Sequence, residues 1–165
     1  MNWDAIGAVG ETIGAIAVVA TLIYLSTQIR QNNKLLSSDS RQTLVSNDLT
    51  SLISNVENSD VFAKLVSKER LSAEEQLRLS FIFALDLRNR EFEYFQFKNG
   101  LLDEETWLSY RKVVLINHST GLGKKWWEEV GRGIVDPEFA KQVDELLKNA
   151  VVDTTYVKMS NWADT

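Results

Sequence analysis

Glu11 is the residue whose type and setting most demand an explanation. It stands within AIGAVGETIGAIAVVATLIYL, residues 5–25, and no charged side chain follows it from Thr12 to Leu25. An ionised carboxylate in so apolar a stretch is costly unless it meets water, a partner or a helix interface. Small residues recur beside it at steps of three and four: Gly7, Gly10, Gly14, Ala17 and Thr21, then Tyr24 and Gln28. On a helix these steps stack on one face near a heptad period. Gly10 and Gly14 also have the small-xxx-small spacing that lets backbones approach closely in lipid. The stripe predicts self-association of the helix. One Glu11 per copy then forms a ring of carboxylates, which attracts cations to a pore. The alternative is a Glu11 that stays protonated or reaches headgroup water near the end of a span.

Other candidate chemistry is sparse. His118 is the one histidine, and with no cysteine the chain cannot form disulfides, thiolate zinc sites or iron–sulfur clusters. HExxH and an Asp-rich calcium loop are both missing, so no metal is expected. Ser119 and Thr120 adjoin His118, but adjacency in sequence is not the geometry of a triad. GLGKK at 121–125 lacks the first glycine of a phosphate loop and the Ser/Thr after its lysine. LDLRNREFEYF at 85–95 places Asp86, Arg88, Arg90, Glu91 and Glu93 on one apolar helix, so some of these charges must face the core or an interface. Two carboxylates there resemble part of a di-iron bundle, but the two Glu-x-x-His repeats such a site needs are missing. Salt bridges, with Arg88–Glu91 as a candidate buried pair, are the expected use. The inventory predicts no enzyme and no cofactor.

The elements that position Glu11 begin with a helix apolar on every face, which is either a core helix or a membrane span. From Ile6 to Leu25 it extends about 30 Å at roughly 1.5 Å per residue, the thickness of the hydrocarbon layer. Trp3 and Tyr24 bracket it where amphipathic rings meet headgroups, and Arg30 and Lys34 follow as basic anchors. Every Lys and Arg lies at or beyond Arg30, which by the positive-inside rule puts the N-terminus outside and the remainder in the cytosol. A cleaved signal peptide would want a basic start, and MNWDAIG is acidic. Beyond Asp4 and Glu11 the charges are nearly balanced and slightly acidic, which gives no reason to expect nucleic-acid binding.

The remainder reads as helices, with one proline and few later glycines. Residues 30–43 form a polar juxtamembrane segment able to continue the first helix. A helical domain over 44–152 follows, then a tail over 153–165 that reads as irregular. In the domain, Val45, Leu49, Leu52, Ile53 and Val56 return at helical spacing, and Ser59-Asp60 offers a cap for a short helix. Ser72 with Glu75 makes a capping box, with Leu71 as staple residue. Leu77, Phe81, Ala84, Leu85, Phe92 and Phe95 are expected on one face of that helix, Phe83, Tyr94 and Phe97 widen the face as suits a central helix, and Gly100 stops it. Asp103 caps a helix carrying Trp107, Tyr110, Val114 and Leu115, Trp126 and Trp127 lie on another, and Asp136-Pro137 opens a last one. Tyr156, Met159 and Trp162 are the tail residues able to dock on a neighbour. The expected fold class is all-α: one transmembrane helix (1–29) and a cytosolic helical bundle.

The block GAVGETIGAIAVVATLIYLSTQIRQN at 7–32, with GLLDEETW at 100–107 and the later Trp126-Trp127, resembles a widespread family of uncharacterised bacterial single-pass membrane proteins, common in marine bacteria. The resemblance implies a bacterial inner-membrane location and the same layout, and carries over no activity or functional residue. The expected function is a homo-oligomeric membrane protein, with cations passing near Glu11. Its expected partners are lipid, its own copies and cations. The alternatives are a membrane-tethered interaction module and a soluble protein whose apolar first helix fills its core.

Overall fold

In the computed structural model, described over residues 2–164, every regular element is helical. Residues 1 and 165, at the ends of the N-terminal segment and the tail, lie outside the described residues. The helices are α1 (Trp3–Glu57), α2 (Ser59–Ser67), α3 (Ala73–Lys98), α4 (Glu104–Tyr110), α5 (Lys112–His118), α6 (Gly121–Glu129), α7 (Pro137–Lys148) and α8 (Thr155–Asn161). The all-α class, with one long apolar N-terminal helix and a helical domain, is thus as expected. The chain divides into two compact units, Met1–Asp39 and Ser40–Thr165.

The first unit is the N-terminal part of α1. Its polar runs do not interrupt the helix, because no proline occurs and no glycine follows Gly14 before the helix ends at Glu57. Three of its threonine hydroxyls bond back to the helix. Thr12 donates to the Ala8 carbonyl at 2.9 Å, Thr21 to Ala17 at 2.8 Å and Thr27 to Ile23 at 2.9 Å. The apolar stretch is a candidate membrane span by length and composition, and none of its window is buried.

The second unit packs around α3. Its core joins Leu44, Val61, Leu79, Phe83, Leu87, Tyr94, Trp107, Val114, Trp127, Phe139 and Val143. The capping box forms as expected: Ser72 N–H donates to Glu75 Oε2 at 2.7 Å, and Glu75 N–H to Ser72 Oγ at 3.2 Å. Leu71 is buried beside it. Asp103 accepts from Thr106 N–H at 2.8 Å, and Asp136 from Glu138 N–H at 2.8 Å, with Pro137 opening α7. Gly100 takes the left-handed φ of +70° that ends α3.

Several expectations are corrected. The cap of α2 is Asn58, and its side chain makes no capping bond. The Trp107–Leu115 stretch is two helices, α4 and α5, meeting at Arg111. Residues 155–161 are helical rather than irregular, and Tyr156 docks on Phe62 with ring centroids 4.9 Å apart. The largest correction concerns α3. Leu77 and Phe81 are exposed, while Leu79, Ile82, Phe83, Asp86, Leu87, Arg90, Glu93 and Tyr94 are buried. Phe83 and Tyr94 are buried as expected and Ala84 and Phe92 pack partly against the core, so the inward face is rotated from the apolar stripe, and it carries charged side chains as well.

Candidate functional site

The inward face of α3 brings charged groups of widely separated sequence together. Arg90 is buried, and its guanidinium pairs with Asp48 of α1 and lies 3.0 Å from Glu93 Oε1. The Tyr110 ring covers it, with 5.2 Å from the guanidinium carbon to the centroid. One turn earlier, Asp86 accepts from Asn117 Nδ2 at 2.8 Å, and Asn117 in turn accepts from the Tyr156 hydroxyl. Asn89 donates to Ser51 Oγ at 2.8 Å and to the Asn47 carbonyl at 3.3 Å. Helices α1, α3, α5 and α8 therefore each supply a side chain to one polar core.

The electrostatics of this core are uneven. Neither Glu93 oxygen has a hydrogen-bond partner, and Nε and Nη1 of Arg90 are likewise unmatched. The Arg90–Glu93 contact is therefore close in distance but poorly aligned. Burial pushes the Glu93 carboxyl up to about 8; Arg90 opposes the rise, while Asp48 and Asp86 add to it. Near neutrality Glu93 is mostly protonated, and the positive Arg90 is balanced by Asp48. Burial also raises Asp86, against the hydrogen bonds of Ser51 and Asn117. Such a core can hold a proton on Glu93 and fix α1 against α3.

His118 belongs to an aromatic cluster. It stacks on Trp126 at 5.3 Å and meets Phe83 edge-on at 5.1 Å. Burial lowers its imidazole to about 4, with a backbone hydrogen bond to Gly123 pulling the other way, so it is neutral at physiological pH. Its Nδ1 has no partner. GLGKK opens α6, with Thr120 Oγ1 accepting from Gly123 N–H at 3.0 Å. A Cβ on Gly123 would lie 2.1 Å from the Asn117 carbonyl oxygen, so the glycine permits the close approach of α5 and α6.

The expected pair is present: Arg88 Nη1 donates to Glu91 Oε2 at 2.6 Å, and Glu91 Oε1 accepts from Asp136 N–H, tying α3 to the start of α7. Glu91 is buried, whereas Arg88 stays largely exposed.

The residues picked out in the first helix all lie on α1 in the other unit. Gly7, Gly10, Gly14, Ala17, Thr21 and Glu11 are exposed, as are Trp3, Tyr24, Arg30 and Lys34. An added Cβ at Gly7, Gly10 or Gly14 would meet nothing within 4 Å. Arg30 donates to Ser26 Oγ at 3.1 Å, one turn back. Asp48, Ser51, Asn89, Asn117 and Tyr156 were not foreseen from sequence as a cluster. The one signal was the density of charge between Asp86 and Glu93, which located half of it.

No group of His, Asp or Glu among the described residues is placed to hold a metal. Compared with family models, curated proteins and solved structures, the chain gives no match.

Proposed function

We propose that the chain is a membrane-anchored, self-associating helical protein. The stretch of α1 from Ile6 to Leu25 spans a bilayer, and the unit Ser40–Thr165 works as a folded domain at the membrane surface. One observation carries this reading: Val9, Ile13, Ile16, Val18, Val19, Leu22 and Ile23 are each more than half exposed. Apolar area in water costs about 25 cal/mol per Å², which lipid removes. The threonine hydroxyls already bonded to their own helix suit the same environment. Arg30 and Lys34 favour the cytoplasmic side for the domain, and the resemblance of the N-terminal block favours a bacterial inner membrane.

Self-association is supported by the openness at Gly7, Gly10 and Gly14, where a neighbouring backbone has room to approach. Ala17 and Thr21 continue the stripe. Glu11 adjoins it, so packed copies gather their carboxylates near one boundary and draw cations there. The test is the mass of the full chain in detergent. An oligomer, with a smaller oligomer fraction in Gly10→Leu/Gly14→Leu at equal concentration, supports the reading. A monomer at every concentration contradicts it.

A groove of about 660 Å³ lined by Leu65, Val66, Leu71, Leu122 and Val157 favours a second reading, a tethered interaction module. Replacing residues 1–29 by an unrelated transmembrane helix separates the two. A tethered module keeps its binding, whereas an assembly built on the stripe loses its association.

A further inference from the structure

We propose that the outward face of α1 between Val45 and Val56 packs against the same face of a second copy of this chain. The proposal rests on the self-association reading above and assigns to it a surface within the unit Ser40–Thr165.

The argument starts from an inverted helix. On the side facing the domain this segment places Ser40, Leu44 and Ser51 as buried residues, with Asn47, Asp48 and Asn55 half-buried. On the opposite side Val45, Leu49, Leu52, Ile53 and Val56 are each more than half exposed. A surface helix ordinarily turns its apolar side inward and its polar side to water. Here the polar side is held inward by specific bonds, Asn89 to Ser51 at 2.8 Å and Arg90 to Asp48. Rotation to bury the valines and leucines would break them. The apolar face is therefore kept outward, and a contiguous apolar face so maintained marks an interface.

Its pattern specifies the occupant. Val45, Leu49, Leu52 and Val56 follow steps of four, three and four, the spacing of a coiled-coil seam, and Leu and Val are the residues such a seam uses. A heptad seam is complementary to another in the same register, and a second copy supplies one by symmetry. Counted along the sequence, these positions also stand whole heptads from Gly10, Gly7, Ala17 and Gly14. A lipid surface would favour a basic rim, but the exposed neighbours Arg41, Ser46, Thr50 and Glu57 include one basic residue and one acidic. Beside the face, a groove of about 290 Å³ bordered by Leu52, Val56, Phe62, Val66 and Met159 leaves room for a partner's side chains.

The chain has no cysteine, so single cysteines report cleanly. The experiment compares Leu49→Cys, Leu52→Cys, the off-face control Thr50→Cys and Ala17→Cys, each in the full chain in native membranes under mild oxidation. All four positions are exposed. The expected result is about tenfold more disulfide dimer from the two leucine positions than from Thr50→Cys, because the bond needs closely approaching backbones. Crosslinking at Ala17→Cys with the leucine positions no better than Thr50→Cys would overturn this proposal and leave self-association standing. Crosslinking at none of the four would overturn both. A Leu49→Cys thiol shielded from soluble maleimide yet uncrosslinked would give the face to lipid or another protein.

Discussion

Asn89 Nδ2 donates to Ser51 Oγ across 2.8 Å of buried space, joining α3 to a serine on the inward side of α1. Two residues before Ser51, Leu49 points away and is 54% exposed. The same few bonds that give the domain a polar interior thus fix which side of α1 meets its surroundings. From this relationship the central charge, Arg90, acquires its importance.

Arg90→Ala should be the most damaging single change in the polar core. It leaves Asp48 without its partner, removes the cation that holds the Asp86 carboxyl down, and empties a buried site under Tyr110, a loss expected at about 3–5 kcal/mol. Arg90→Met combined with Glu93→Leu should recover much of it, since apolar side chains refill the site and remove the unpartnered Glu93 carboxyl. Urea titration followed by circular dichroism checks both variants. Equal destabilisation by the single and double variants would contradict the account.

Glu93 predicts a pH effect of definite sign. Its carboxyl is raised from 4.5 to about 8 in the folded chain, so the folded state binds more protons than the unfolded state between those values. Stability from this group is full below 4.5, declines as pH rises, and levels off above about 8. Glu93→Gln should flatten that decline and be more stable than the parent at alkaline pH. Thermal melts from pH 5 to 9 make the comparison.

His118 predicts the opposite slope on the acid side. Its imidazole is lowered from 6.5 to about 4, so its contribution is present above 6.5 and lost as pH falls through about 4. Trp126 stacks on His118 with 13° between the ring planes, so tryptophan fluorescence reports the same transition. His118→Gln should remove the acid-side slope. A His118→Gln profile with the same acid-side slope as the parent would contradict the assignment.

The glycines divide into two kinds that alanine scanning can separate. Gly123→Ala forces a Cβ onto the Asn117 carbonyl and should cost about 1–3 kcal/mol or more. Gly10→Ala and Gly14→Ala meet nothing within 4 Å and should leave domain stability unchanged while weakening association. Melting temperature and detergent-phase mass together distinguish the two outcomes.

Local signals in the sequence carried far. The Ser72–Glu75 box, the Asp103 and Asp136 caps, the Gly100 stop and the Arg88–Glu91 pair all depend on residues within one turn or one short loop, and each was legible. The inward face of α3 was legible only in part, through Phe83 and Tyr94. Phe81 looks like core, yet it is 67% exposed, while Arg90 and Glu93, about two and a half and three turns on, lie on the buried side. What allows Arg90 inside are Asp48 and Tyr110, and Asn117 does the same for Asp86; the fold supplies all three from other helices and no spacing rule connects them to α3. The outward turn of Val45 and Leu49 was illegible for the same reason, since Ser51 and Asp48 found their partners inside. Tyr156 reached the polar core from a stretch whose composition carried no helix signal beyond its aromatic.

Glu11→Gln tests the cation reading separately from the anchor. In proteoliposomes of the full chain, cation flux should fall severalfold in the variant if the carboxylates gather at one boundary. Unchanged flux, or none in the parent, would remove the pore and leave the anchor intact.

The central claim is the membrane anchor, and alkaline carbonate extraction of membranes from cells expressing the full chain tests it most directly. The protein should remain in the washed pellet, and a variant with Ile13, Ile16 and Val19 replaced by Asp should be released. Release of the parent chain into the supernatant would contradict the account and return the apolar stretch of α1 to the interior of a soluble assembly.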